Sequence, residues 1–232
     1  MNQMGELFRL ENLEHPELFS GDRPWDPIAR LPDYLEKHAT ENVQAEVHSS
    51  AIIEGPVSIG ANSKVDARAV IRGFVFIGEG CYVGGSLIRD SIIEEGALVG
   101  SGCEIGRSIL LRGAKVYHNS VVLDSILGAD VSIGGGTLLG NTNVNDSNIH
   151  VQWSDERIDT GLLRLGPLVG DRTRFGMGGL VYPGVIVGHD SVIGAGVHLI
   201  GSHPPNSYVK VVQTVRAVVR RRRGQASGDG DA

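Results

Sequence analysis

From Val47 onward, aliphatic residues recur every six positions. Val47, Ile53, Ile59, Val65, Ile71, Ile77 and Val83 stand at strict six-residue steps, with small or polar residues between them. Ile93, Val99, Ile105 and Leu111 resume the pattern, as do Leu127, Ile133 and Leu139, and the positions from Val169 to Leu199 complete it. A helix has a period of 3.6 and a simple strand a period of two, so neither explains this spacing. A short unit with one aliphatic and one turn-forming small residue, as in VSIGAN and VFIGEG, predicts a β-solenoid. Each unit forms one side of a coil, and successive coils pair as parallel strands about 4.8 Å apart.

The period slips twice. Val83 to Ile93 is ten residues rather than twelve, and Leu111 to Leu127 is sixteen rather than eighteen, which reads as two coils each shortened by two residues. The second slip lies over His118, which is alone among the eight histidines in sitting at such a break. A longer polar interruption runs from 141 to 167, and long excursions from a rigid repeat tend to carry function.

This divides the chain into a helical and loop cap at 1–45, a β-helix at 46–200 that includes the 141–167 excursion, and a terminal segment at 201–232. In the cap, Asp26 followed by Pro27 predicts a helix start. Trp25, Leu18 and Phe19 are its docking residues, and the cap is expected to cover the open end of the stack. In the terminal segment, Tyr208, Val211, Val212, Val215, Val218 and Val219 follow helical spacing and predict a helix lying on the coil. A strand is the alternative. Arg220 to Arg223 then lead into a flexible basic tail.

Composition narrows the function classes. The 33 glycines are about twice ordinary usage, which suits many tight turns. A net charge of −6 gives no case for nucleic-acid binding. Two cysteines, Cys81 and Cys103, without a secretory leader favour a reducing, cytoplasmic setting and an inward-facing apolar role. No apolar run approaches a membrane span.

The residues from Arg112 to Thr142 carry the chemistry. Acyl transfer from a thioester needs a base for the acceptor's proton, donors for the oxyanion and a groove for an extended thiol carrier. A neutral imidazole suits the first near pH 7, and backbone amides of a glycine-rich coil suit the second.

The [LIV]-G-x4 units resemble those of the hexapeptide-repeat transferases, whose fold is a left-handed parallel β-helix, so the implied class is all-β. The stretch KVYHNSVVLDSILGADVSIGGGT is most similar to the acetyltransferase part of the bifunctional N-acetylglucosamine-1-phosphate uridylyltransferases and related sugar-1-phosphate nucleotidylyltransferases. It aligns without a gap to K-A-x-H-x-x-Y-x-G-D-x-x-(I/L)-G-x-x-V-N-(I/L)-G-A-G-T, matching at Lys115, His118, Asp124, Gly128, Val131, Gly134, Gly136 and Thr137. The resemblance implies that His118 is the general base, that acetyl-CoA is co-substrate, and that Gly135, Met177 and Ala195 line the cofactor. It implies substrate contacts at Ser132, Asn141 and Arg164, with Arg72, Arg89 or Arg107 for a phosphate. It also implies a homotrimer with sites between subunits, the excursion reaching a neighbour.

The chain departs from the family pattern at three places. Val121 replaces the tyrosine, Ser132 replaces the asparagine, and a lysine expected near Gly106 is missing, with Arg107 beside it. A site that loses polar contacts loses discrimination. Two readings follow: a CoA-dependent acyltransferase acting on a small amino-sugar phosphate or related acceptor, and a non-catalytic, trimeric sugar-nucleotide-binding or scaffold protein. Nucleotidyl transfer is not expected, because no Rossmann-like half precedes the repeats. A metal enzyme of the γ-carbonic-anhydrase type shares the fold but needs three histidine ligands with an H-x4-H pair, and no metal ligands are assigned.

Overall fold

The computed structural model describes residues 3–11, 13–153, 156–214 and 216. The chain forms a left-handed parallel β-helix of about ten turns. Its two- and three-residue strands stack into three flat parallel sheets of eight, nine and eight strands. Face one runs from Asn42–Val43 to Ile186–Val187, face two from Glu46–Val47 to Tyr208–Val209, and face three from Ile52–Glu54 to His198–Leu199. Each coil visits the three faces in that order.

Inward side chains, nearly all aliphatic, build a continuous core, among them Ile59, Ile77, Val99, Ile133, Val169 and Ile193. Cys81 and Cys103 join it as free thiols. Burial pushes both thiols up, Cys81 to about 11, which leaves them unreactive.

The inward series differs from the six-residue reading at its slips. Inside the helix lie Val83, Ile88 and Ile93, then Ile105, Leu110, Val116, Val122 and Leu127. The shortening is therefore made of single five-residue steps, at 83→88, 88→93, 105→110 and 122→127. Leu111 does not point inward; it packs in a second cluster outside the coil. His118 consequently sits in an ordinary six-residue step between Val116 and Val122, not in a slip.

The last three short steps share a backbone feature at the corner between faces three and one. Asp90, Arg107 and Asp124 each take φ of 47° there, where the earlier coils place Gly55 and Gly73 at 97° and 82°. A Cβ makes the left-handed conformation unfavourable by about 1–2 kcal/mol. Hydrogen bonds offset it. After each of these residues comes a buried serine: Ser91 Oγ donates to the Arg89 carbonyl at 2.7 Å and accepts the Ser108 amide at 3.1 Å, and Ser108 Oγ accepts the Ser125 amide at 3.2 Å.

Face one is apolar on both sides. Ile92, Ile109, Ile126, Leu168 and Ile186 point outward and are covered by Met4, Leu7, Phe8, Trp25, Leu31 and Leu35. The N-terminal segment thus lies along this flat face instead of capping the open end of the stack, because the larger unsatisfied apolar surface is there. Its helix α1 (Asp26–His38) begins where expected. Asp26 is the first helical residue rather than the cap, and its carboxylate accepts the Arg23 amide at 3.0 Å.

Two buried carboxylates tie the segment down. Asp171 accepts the amides of Arg9 and Ala129, both at 2.8 Å. Glu94 accepts those of Glu14 and Arg112, both at 3.1 Å. Burial pushes the Glu94 carboxyl up to about 7 and raises that of Asp171.

The excursion also folds onto its own face one. It contains an antiparallel hairpin, His150–Trp153 with Glu156–Asp159, and buries Ile149, Val151 and Leu165 in the outer cluster. The helix expected from Tyr208 is not formed at 208–214. Tyr208–Val209 is a strand paired with Val192–Ile193, the stack offering it an open edge, and 210–214 have no helix. Val215, Val218, Val219 and the four arginines lie outside the described residues.

Candidate functional site

His118 lies at the corner between faces two and three, two residues past the inward Val116. Gly135, Met177 and Ala195 hold the same place on the next three coils, two residues past Ile133, Phe175 and Ile193. The strands leading to them are in register, Val116 with Ile133, Ile133 with Phe175, and Phe175 with Ile193. The four residues form a line of rungs about 4.8 Å apart.

Hydrogen bonding along this line is one-sided. The carbonyls of His118, Gly135 and Met177 accept the amides of Gly136, Gly178 and Gly196, each at 2.9 Å. The amides of Gly135, Met177 and Ala195 have no partner among the described residues. The glycines of the corner are required by close approach: a Cβ on Gly134 or Gly176 would stand 2.5 Å from the backbone of the coil above.

The His118 ring is exposed, and its Nδ1 accepts the backbone amide of Ser101 at 3.1 Å. A backbone N–H can only donate, so the neutral imidazole carries its proton on Nε2. Gly100 makes room for this seat, since a Cβ there would stand 3.0 Å from Nδ1.

Ser132 sits on face two, on the strand that leads to Gly135, between Lys115 and Arg174 in register. These three line an open groove of about 660 Å³ together with Tyr117, Asp130 and Arg172. Arg172 is held by Asp190, its Nε at 2.7 Å from Oδ1, and this guanidinium keeps the Asp190 carboxyl well below the usual carboxylate range. Asp190 also takes Nδ1 of His189 at 2.7 Å.

The remaining candidates collect on the other edge of face three. Arg72 and Arg89 are neighbours in register, followed by Gly106 and Leu123. The Arg89 guanidinium lies over Gly106, where a Cβ would be 2.9 Å from Cζ, and reaches Glu104 at 3.1 Å. Arg107 pairs with the buried Asp124, and Asn141 Nδ2 donates to the same carboxylate at 2.5 Å. The Asn141 carbonyl accepts the Leu165 amide at 2.9 Å, so exposed Arg164 stands beside this corner. Asp124, absent from the sequence-based site, is the hub of it.

The sequence candidates therefore fall into two lines. His118, Gly135, Met177 and Ala195 share one corner, with Ser132 on the adjoining face. Arg72, Arg89, Arg107, Asn141 and Arg164 share the opposite corner. His118 and Asp124 flank the strand Val121–Leu123 and so stand at opposite edges of face three. Between the lines, Leu138 and Leu180 leave apolar surface exposed on face three.

An H-x4-H pair occurs in the chain, at His198 and His203. His203 Nε2 lies 3.2 Å from the Ile200 carbonyl, and no group of three metal-ligating side chains occurs among the described residues. No helix among them is long and apolar enough to cross a membrane.

Residues 73–158 match the family model described as GlmU-like, C-terminal hexapeptide, and residues 168–200 match hexapeptide repeat of succinyl-transferase. An uncharacterized acetyltransferase of Escherichia coli, YaiX, is 30% identical over 184 residues, covering 77% of this chain and 79% of YaiX. The chain belongs to the hexapeptide-repeat transferase family. Within that family it is also similar to the bifunctional sugar-1-phosphate nucleotidylyltransferase/acetyltransferase of Sulfurisphaera tokodaii, at 28% identity over 81% of this chain and 48% of the relative. The bifunctional protein GlmU of Methanocaldococcus jannaschii is 30% identical over 81% of this chain and 46% of its own. The chain thus spans about half the length of these two family members. Among solved structures, the polysialic acid O-acetyltransferase OatWY aligns with 81% of this chain and 92% of its own, at 16% identity and a TM-score of 0.44.

Proposed function

We propose that the chain is a CoA-dependent acyltransferase acting on a small amino-sugar phosphate or related acceptor, with acetyl-CoA as donor and His118 as general base. One observation carries the reading: His118 is aligned with three outward amides, at Gly135, Met177 and Ala195, that have no partner among the described residues. Such amides are ready donors for the carbonyls of a pantetheine arm and for the oxyanion of a tetrahedral intermediate.

In the transfer, the acceptor nitrogen or oxygen bonds to the thioester carbonyl carbon and the C–S bond breaks. The acceptor's proton passes to His118, and from the imidazolium to the leaving thiolate. His118 takes a proton only through a nitrogen with a free lone pair, so the ring must first leave the Ser101 amide by turning about χ2. Arg107 and Asn141 are engaged by Asp124 and serve to hold the corner. Of the sequence-derived arginines, Arg72 and Arg164 have no ion-pair partner among the described residues and remain for an acceptor's phosphate, while Arg89 is shared with Glu104. Since they lie across face three from His118, the reading includes a homotrimer in which this edge of another copy approaches the base.

The Ser101–His118 hydrogen bond and the apolar Val121 favour a second reading, a non-catalytic trimeric sugar-nucleotide-binding or scaffold protein. Thiol release from acetyl-CoA, measured against a panel of amino-sugar phosphates with His118→Ala as control, separates the two. Turnover that disappears in His118→Ala supports the transferase. Absence of both turnover and coenzyme A binding leaves only the scaffold.

A further inference from the structure

The groove on face two holds Ser132 of the sequence-based site, with Lys115 and Arg174 on either side of it, and its strands are those that lead to His118 and the free amides. Lys115, Ser132 and Arg174 stand side by side on three successive coils. Three residues further along the same coils come His118, Gly135 and Met177. At about 3.3 Å per residue, the groove floor lies about 10 Å from that line.

The groove's charges are unevenly neutralised. Arg172 is taken by Asp190, and Asp130 also faces the groove. Lys115 and Arg174 have no ion-pair or hydrogen-bond partner among the described residues. Two like charges on strands two rungs apart, about 9.6 Å, repel each other in a chain whose net charge is −6. Between them stands a short hydroxyl where the family pattern has the longer asparagine. Two long cationic side chains thus wall a small polar floor, a shape that admits an oxyanion. Ammonium and guanidinium groups bind phosphate oxygens through charge-assisted hydrogen bonds, and a hydroxyl adds a neutral donor.

We propose that Lys115, Ser132 and Arg174 form a phosphate- or diphosphate-binding subsite that anchors a phosphorylated substrate with its reactive end at the His118 corner. This rests on the transferase reading for the reactive end, but the anion site stands on its own geometry. The phosphate belongs either to the acyl carrier or to the acceptor.

Equilibrium binding to the full chain tests it without turnover. The probes are coenzyme A against pantetheine, and an amino-sugar phosphate against the free amino sugar, each with wild type, Lys115→Gln, Arg174→Gln and the double variant. Both residues are exposed, so the variants keep the fold, checked by their unfolding midpoints. The expected result is that one phosphorylated probe binds wild type at least ten-fold tighter than its phosphate-free counterpart, and that the double variant loses this preference. The pair that loses it identifies the source of the phosphate. Equal preference in wild type and double variant for both pairs overturns the subsite. Phosphate preference lost in the variants, with no turnover in wild type, supports the subsite and removes the transferase reading alone.

Discussion

The backbone amide of Ser101 donates to Nδ1 of His118 at 3.1 Å. This single contact from the coil below decides which nitrogen of the candidate base carries the proton. It also sets apart the ring's resting position from the position in which it takes a proton. Nitrogen-15 spectra of the histidines will show the neutral His118 ring as the Nε2–H tautomer. A dominant Nδ1–H form would contradict the contact.

Gly100 underlies the same seat. An alanine there would bring its Cβ to 2.9 Å from the His118 amide and 3.0 Å from Nδ1, displacing the ring while leaving the carrier groove intact. On the transferase reading, Gly100→Ala lowers kcat by about 100-fold, the scale of a misplacement near 1 Å. The KM for acetyl-CoA stays close to wild type. A variant with unchanged kcat would show that the ring's position does not matter to the reaction.

Asp124 takes both Arg107 and Asn141 from a left-handed corner. Asp124→Asn removes the charge that Arg107 faces and costs about 1.5–3 kcal/mol, the range for hydrogen bonds to charged groups. Urea unfolding of Asp124→Asn, Arg107→Gln and the double variant will give a coupling of about 0.5–3 kcal/mol. Additive effects would mean the pair does not hold the corner.

Glu94 makes the docking of the N-terminal segment depend on pH. Burial raises its folded pKa from 4.5 to about 7, so the folded chain binds a proton that the unfolded chain has already released. Its stabilising contribution is complete below about 4.5 and is lost as the pH climbs through 7. The raised Asp171 acts in the same direction. Proteolysis between residues 3 and 40 should therefore be slower at pH 5 than at pH 8, at matched protease activity. The opposite order would refute the linkage.

The five-residue corners are partly legible in the amino-acid sequence. Asp90-Ser91-Ile92-Ile93, Arg107-Ser108-Ile109-Leu110 and Asp124-Ser125-Ile126-Leu127 recur at a spacing of seventeen. A strict period of six passes over this and assigns Leu111 to the core in place of Leu110. In each doublet both residues are apolar because both sides of face one are covered, and periodicity alone does not say which member points in. The doublets do announce that something must lie over face one. That Phe8, Trp25 and Leu31 supply the cover is not contained in them. Arg174 likewise reads as one more outward charge until its coil is stacked two rungs above Lys115.

By itself the sequence determined the solenoid, most of its aliphatic core and the start of α1. These follow from local spacing, because each coil repeats one geometry and equal offsets from an inward aliphatic land on equal places. Tertiary structure alone decided that the N-terminal segment lies along a face, that the excursion folds back as a hairpin, and that Arg107 and Asn141 turn to Asp124. It also decided that Lys115 and Arg174 share a groove. These depend on which coils are neighbours and on where unpaired charge and uncovered apolar surface find partners, and such contacts join residues far apart in the chain.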